Sequence, residues 1–212
     1  MNGLSLYTYT IRPMEVSDVP TVVAIERRSF PSPWLPSYFL HELTHSPHSY
    51  YYVLLKPQSE ETAPYRPGWR RWLDNLLGIP GESEVIGYVG FKLRNTRAHI
   101  STIAVHPAWR GQGLGELLLL TALEKALELK AEKVSLEVRP SNRIAQRLYQ
   151  KYGFRFERVY RGYYRDGEDA WRMEVQVDLP AYRSRLVDLR QTLESRVRCR
   201  QVGVGQKSGD TI

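Results

Sequence analysis

Apolar and polar residues alternate from Tyr7 to Arg12, the pattern of a strand, and Pro13 ends it. Ser17 and Asp18 then supply helix caps, and Val19, Val22, Val23 and Ile25 carry an apolar helical stripe toward Ser29. Phe30-Pro31-Ser32-Pro33-Trp34 fits neither helix nor sheet, because each proline lacks an N–H and fixes its own φ. A second helix is predicted from about Ser37 to His45, stopped by Ser46-Pro47. Strands follow at Ser49 to Lys56, at Glu84 to Arg94 with an irregularity expected at Gly87 or Gly90, and at Arg97 to Val105. Between the first two of these lies an insertion, residues 57–83, with prolines at 57, 64, 67 and 80, far longer than a hairpin turn. Within it Trp69, Trp72, Leu73, Leu76 and Leu77 recur at helical spacing, a short amphipathic helix.

The second half is punctuated more sharply. Glycines at 111, 113 and 115 open a helix that carries Leu117 to Leu120, Leu123, Ala126 and Leu127 and ends near Lys130. Lys133 to Val138 alternates as a strand, and Ser141 to Tyr152 reads as a helix closed by Gly153. Phe154 to Tyr160 and Ala170 to Leu179 complete the set as strands. This order of elements predicts an α/β fold, a mixed sheet with helices on its faces.

Composition narrows the class. With 212 residues, 42% hydrophobic and 25% charged, the chain suits one substantial globular domain rather than two. One cysteine, Cys199, excludes an intramolecular disulfide and a multi-cysteine zinc site. No apolar run reaches the length of a membrane span, and Met1 to Thr10 lacks the signature of an export signal, so a soluble, cytoplasmic protein is expected. The net charge of +7 is concentrated late, with seven basic and three acidic residues from Ala181 onward. Residues 181–212 therefore read as a basic C-terminal helical tail, ordinarily a solvated one, and a candidate for contact with RNA or an acidic partner.

The strand from His99 to Val105, the turn Arg110-Gly111-Gln112-Gly113-Leu114-Gly115 and the helix after it form the strongest local signal. Glycines let backbone approach a ligand closely, and the first N–H groups of a helix point at it with the positive end of the dipole, chemistry suited to a pyrophosphate. The dinucleotide fingerprint G-x-G-x-x-G is not met, since the glycines are spaced G-x-G-x-G and too few residues follow for a doubly wound sheet. A P-loop is excluded because no Gly-Lys-Ser/Thr ends the turn.

Ile103-Ala104-Val105-His106-Pro107 followed by Arg110 to Gly115 resembles the acetyl-CoA-binding signature of the GNAT N-acetyltransferase superfamily, R/Q-x-x-G-x-G/A. Leu136 to Asn142, Leu148-Tyr149, Tyr152-Gly153-Phe154, Gly162-Tyr163-Tyr164, Glu168-Asp169-Ala170 and Phe30 to Trp34 resemble, more narrowly, the RimI-like ribosomal-protein-alanine N-acetyltransferases. The likeness spans roughly residues 9–178, leaving out the insertion and the tail. It implies a GNAT fold over residues 1–180, a twisted mixed sheet flanked by helices on both faces. It also implies transfer of acetyl from acetyl-CoA to a protein N-terminal amine, with N-terminal alanine of a small-subunit ribosomal protein as the expected target. The resemblance assigns the cofactor to Ile103, Ala104, Val105, Arg110, Gly111, Gln112, Gly113, Leu114, Gly115 and Asn142, the last toward the pantetheine arm. Glu137 corresponds to the family's base and Tyr149 to its acid, with the Val105 N–H on the thioester carbonyl. Phe30, Trp34, Tyr163 and Tyr164 would wall the slot for a peptide N-terminus. Residue type alone would make Glu137 a surface glutamate and Tyr149 a packing residue, although residues 142 and 149 do share one helix face.

One motif competes. His41-Glu42-Leu43-Thr44-His45 reads H-E-x-x-H, which in zincins puts two zinc ligands and a general base on one helix. The helix ends directly after the second histidine and no third ligand is evident, so no metal is expected. The rivals to N-terminal acetylation are acetylation of a small amine or lysine, a zinc hydrolase through residues 41–45, and a non-catalytic CoA-binding module. Retention of both Glu137 and Tyr149 weighs against the last.

Overall fold

A computed structural model describes residues 9–57 and 85–205. Among the described residues seven strands form one sheet in the order β1-β2-β3-β4-β5-β7-β6. They are β1 (Thr10–Pro13), β2 (Ser49–Leu55), β3 (Val85–Arg94), β4 (Arg97–Val105), β5 (Lys133–Val138), β6 (Arg155–Tyr160) and β7 (Ala170–Gln176). The helices are α1 (Val19–Ser29), α2 (Pro36–Thr44), α3 (Leu114–Glu128), α4 (Arg143–Lys151) and α5 (Pro180–Gly205). The element boundaries lie close to those read from the sequence. At the start of α1 a short 3-10 turn, Val16–Asp18, carries a reciprocal cap between Glu15 and Asp18, with Arg12 clamped on the Asp18 carboxylate at 2.7 and 2.8 Å. Burial opposes ionisation of Asp18, but Arg12 and the Glu15 N–H hold its carboxyl below the usual range. The insertion helix expected around Trp69 to Leu77 lies outside the described residues.

Among the described strands only the β4–β5 pair is parallel, since the crossover helix α3 joins them; the other neighbours run antiparallel. Two features of this centre position the site. First, Ile100 faces Phe91 while Thr102 faces Gly90, so β4 carries one extra residue, Ser101, a bulge that swaps which face later side chains occupy. Ile100 accordingly joins the core under α3, whereas Ala104 joins the core under α1 and α2. The irregularity expected in β3 at Gly87 or Gly90 is met at both: against β2 the strand carries an extra residue, Ile86, beside Gly87, and the β4 bulge lies opposite Gly90, where a Cβ would sit 2.2 Å from the Tyr51 ring. Second, β4 and β5 pair only as far as Ile100 and Leu136, although β4 runs on to Val105 and β5 to Val138. The two strands part, and the gap between them opens toward the carboxyl end of β4.

Each face of the sheet has its own apolar core. Leu118, Leu119, Leu123, Tyr152 and Phe154 fill one beneath α3 and α4; Val22, Ile25, Phe39, Val53 and Tyr88 fill the other beneath α1 and α2. The C-terminal helix differs from the solvated tail expected of it. Tyr182, Leu186 and Leu193 are buried in the α3 core, and the Tyr182 hydroxyl donates to the Tyr152 carbonyl at 2.9 Å. The reason is spacing: residues 182, 186, 189, 193 and 197 are apolar at three- and four-residue intervals, one stripe along a helix. The basic residues fill the remaining positions and dominate a reading by composition.

Candidate active site

The gap opens into a cavity of about 610 Å³ bounded by β4, the turn after it, α4 and α5. All ten residues expected to hold the cofactor line it, from Ile103 to Val105, from Arg110 to Gly115, and Asn142. Tyr149 and Phe30 line it as well. The turn needs glycine for conformation: Gly111 stands at φ +76° and Gly113 at φ +84°, left-handed values, and a Cβ on Gly113 would touch Leu193 at 3.4 Å and Val197 at 3.6 Å. The first N–H groups of α3 have no intrahelical acceptor and form an anion-binding end. Arg110 is turned away from that end. It fastens the turn, donating to the Val105 carbonyl at 3.0 Å and to the Ser29 hydroxyl at 2.8 Å. Asn142 caps α4, its carbonyl oxygen accepting from the Ala145 N–H at 3.1 Å, which leaves its amide N–H groups for a ligand.

Val105 presents a backbone donor. The His106 N–H donates to the Ile86 carbonyl at 2.8 Å, and successive residues of a strand turn their backbone groups to opposite neighbours. The Val105 N–H is therefore turned from β3 toward the gap. Burial raises the Tyr149 phenol well above its ordinary pKa, helped by Tyr164, so it stays protonated and can only give a proton.

Glu137 does not line the cavity; strand alternation sends it to the opposite face from Leu136, toward α1 and α2. There its carboxylate meets His99 Nε2 at 3.1 Å and accepts from Arg172 at 3.0 Å. The cross-strand register makes this possible, since Glu137 faces Arg172 on β7 and Ser135 faces His99 on β4. Burial opposes ionisation of Glu137, but His99 and Arg172 hold its carboxyl below the usual range. Tyr163 and Tyr164, in the loop between β6 and β7, feel the charge of Glu137, and their phenols are raised by burial and by that charge, Tyr164 to about 12. They meet edge to face at 5.1 Å, and Tyr164 is braced by the Arg139 guanidinium 3.7 Å above its ring. Trp34 packs on Tyr38 with ring centroids 4.2 Å apart. The four aromatic residues expected as walls are thus divided, with Phe30 at the cavity and the other three outside its lining.

Sequence reading missed His99, Arg172, Tyr38 and Glu26. Glu26 is buried on α1, where Tyr88 donates to its carboxylate and the Trp34 N–H donates at 3.2 Å, tying the α1–α2 loop to the sheet. Among the described residues no cation is paired with it; burial pushes its pKa up to about 7 against the lowering effect of the Trp34 N–H. A glutamate on the apolar stripe of α1, i+1 from Ile25, was the available signal. In the H-E-x-x-H stretch the two histidine rings stack 5.3 Å apart on the surface of α2. Glu42 turns inward instead, accepting from Ser49 at 2.6 Å and from Lys92 at 2.9 Å, so both its oxygens are committed to holding α2 on β2 and β3.

This fold and site define a class. Residues 19–154 match the family model described as "Acetyltransferase (GNAT) family", and the chain belongs to that family. Among named relatives it is 36% identical to a Bacillus subtilis protein described as "Putative [ribosomal protein bS18]-alanine N-acetyltransferase", over 79% of this chain and 95% of that one. It is 32% identical to an N-alpha-acetyltransferase of Sulfurisphaera tokodaii, over 78% of this chain and 91% of the other. Of solved structures, Ard1 from Thermoplasma volcanium superposes with a TM-score of 0.63 at 25% identity, covering 79% of this chain and 97% of that one. The Escherichia coli ribosomal-protein-S18-alanine N-acetyltransferase shares the fold at the same TM-score with 24% identity, covering 81% of this chain and 96% of that one. As a GNAT acetyltransferase, the protein uses acetyl-CoA. The cavity suits that molecule, with backbone donors and a side-chain-free cradle at Gly113 for the phosphates and a narrow gap leading to Val105. Among the described residues no helix is long and apolar enough to cross a membrane.

Proposed function

We propose that the protein transfers the acetyl group of acetyl-CoA to the α-amino group of a protein N-terminus, with a ribosomal protein beginning in alanine as its substrate. The observation that carries this reading is the β4–β5 gap, which joins a phosphate-suited cavity on one face to a carboxylate–histidine pair on the other. The names of the relatives support the N-terminal amine and the ribosomal target, and a ribosomal target would place the reaction in the cytoplasm.

Acetyl-CoA supplies the acetyl group as a thioester, activated toward an amine and ending in a thiolate leaving group. The Val105 N–H donates to the thioester oxygen, where negative charge develops as the amine adds. An α-amino group titrates at about 7.7–8.0, so only a modest acceptor is needed to deprotonate it. Glu137, ionised and steadied by Arg172, fixes the incoming ammonium and with His99 takes its proton. Tyr149, held protonated, returns a proton to sulfur as the carbon–sulfur bond breaks. Tyr38, Trp34, Tyr163 and Tyr164 give the acceptor side flat apolar walls, which favour an extended backbone over a flexible polyamine. The test is competition in one reaction between a peptide beginning with alanine, free lysine and spermidine, with products read by mass spectrometry. The peptide should take most of the acetyl; acetylated spermidine or lysine without acetylated peptide would overturn the substrate class.

A further inference from the structure

The C-terminal helix contributes to the cavity, although it lies beyond residues 19–154, where the family model matches. Leu193, Arg196 and Val197 of α5 line it opposite the glycine turn. The helix is fixed there by buried Leu193 and by two ion pairs to α3, Arg190 to Glu124 and Arg196 to Glu116 at 2.8 Å. Glu116 itself stands in the first turn of α3, at the end suited to phosphates, and lines the same cavity. A carboxylate there would repel a phosphate, yet this one is over-compensated. Lys151 bonds one oxygen and Arg196 the other, while the Tyr152 hydroxyl donates at 3.0 Å. Burial opposes ionisation of Glu116, but these donors hold its carboxyl below the usual range. Two cations on one carboxylate leave the cluster with a net positive charge beside the N-terminus of α3.

We infer that Arg196 is a phosphate-binding residue for acetyl-CoA, and that α5 forms the outer wall of the cofactor cavity. Among the described residues Glu116 is the one partner of the guanidinium, through Nη2, which leaves its other N–H groups for phosphate oxygens, recognised through its planar fork. Its side chain is 47% exposed, so it can turn toward a ligand without unpacking the helix. Leu193 and Val197 set the depth of the wall, which is why a side chain at Gly113 would meet them. The inference rests on the reading that this cavity takes acetyl-CoA.

Titration calorimetry with CoA on the full chain tests it, comparing wild type, Arg196→Ala and Arg190→Ala. Arg190 anchors the same helix to the same partner helix but does not line the cavity, so it reports what loosening α5 alone would do. Arg196→Ala should weaken CoA binding about tenfold, as loss of a charge-assisted contact does, and flatten its dependence on ionic strength. Arg190→Ala should bind CoA as wild type does. Dephospho-CoA assigns the contact. If the Arg196→Ala defect vanishes with this ligand, the 3′-phosphate is the partner; if it persists, the pyrophosphate is. Equal CoA affinity in wild type and Arg196→Ala, or equal loss in both variants, would overturn the role of Arg196. Failure of wild type to bind CoA would instead overturn the reading of the cavity.

Discussion

On the α3 side of the β4–β5 gap, the groups offered to a ligand are backbone N–H groups, glycines and a helix end, supplied mainly by the stretch from Ile103 to Gly115. On the α1–α2 side they are side chains from separate elements. His99 comes from β4, Glu137 from β5, Arg172 from β7, Tyr38 from α2 and Tyr163 from the loop before β7. The difference matters for specificity. A cradle of backbone is insensitive to most substitutions except those that add a side chain, and it suits a ligand that never changes. A floor of paired charges and aromatic rings can be retuned residue by residue, and it suits an acceptor that varies among enzymes.

The largest effect should come from breaking the backbone side. Gly113→Glu adds a side chain at a left-handed position and a negative charge where phosphates belong. It should abolish the thermal stabilisation that acetyl-CoA gives, measured by melting with and without ligand. A folded variant with an undiminished shift would show that the cradle lies elsewhere.

Removing the proton-handling groups, Glu137 on the acceptor side and Tyr149 in the cofactor cavity, should spare binding and slow turnover. Glu137→Gln and Tyr149→Phe should each lower kcat by roughly 10²–10⁴-fold while CoA affinity stays near wild type. The Glu137 defect should shrink as pH rises, because more of the amine is then neutral without help. Loss of CoA binding in Glu137→Gln would merge the two sides into one.

Glu26 sharpens the comparison through pH. In the fold its pKa is about 7, above the 4.5 of a free glutamate. Between those values the native protein holds a proton that the unfolded chain releases, so this group makes stability fall as pH rises from 4.5 toward 7, and level off above. Glu26→Gln should remove that component, so melting temperatures from pH 5 to 8 should decline less than in wild type. An unchanged profile would mean that Glu26 is ionised in the fold. The smallest effect should follow His41→Ala combined with His45→Ala. These rings lie on the surface of α2, and acetyl transfer should remain near wild type when the initial rates are compared.

The same contrast decides what the sequence could reveal. The cradle is contiguous, so its glycine spacing and flanking strand and helix were legible, and all ten cofactor candidates line one cavity. Glu137 was legible only through family likeness, and its partners His99 and Arg172 were not, because their meeting depends on cross-strand register. The irregularities were legible in part: Gly87 marks the extra residue Ile86 in β3, but opposite Gly90 the extra residue, Ser101, sits in β4. The role of α5 escaped because its basic residues outnumber the apolar stripe through Tyr182, Leu186 and Leu193 that buries it.

The gap should deliver acetyl to a backbone amine. A single peptide settles it: one with a free N-terminal alanine and an internal lysine, incubated with acetyl-CoA and the full-length protein, then fragmented in the mass spectrometer. One acetyl should be added, on the alanine nitrogen, and none when that nitrogen is blocked beforehand. Acetyl on the lysine side chain, persisting in the blocked peptide, would contradict it.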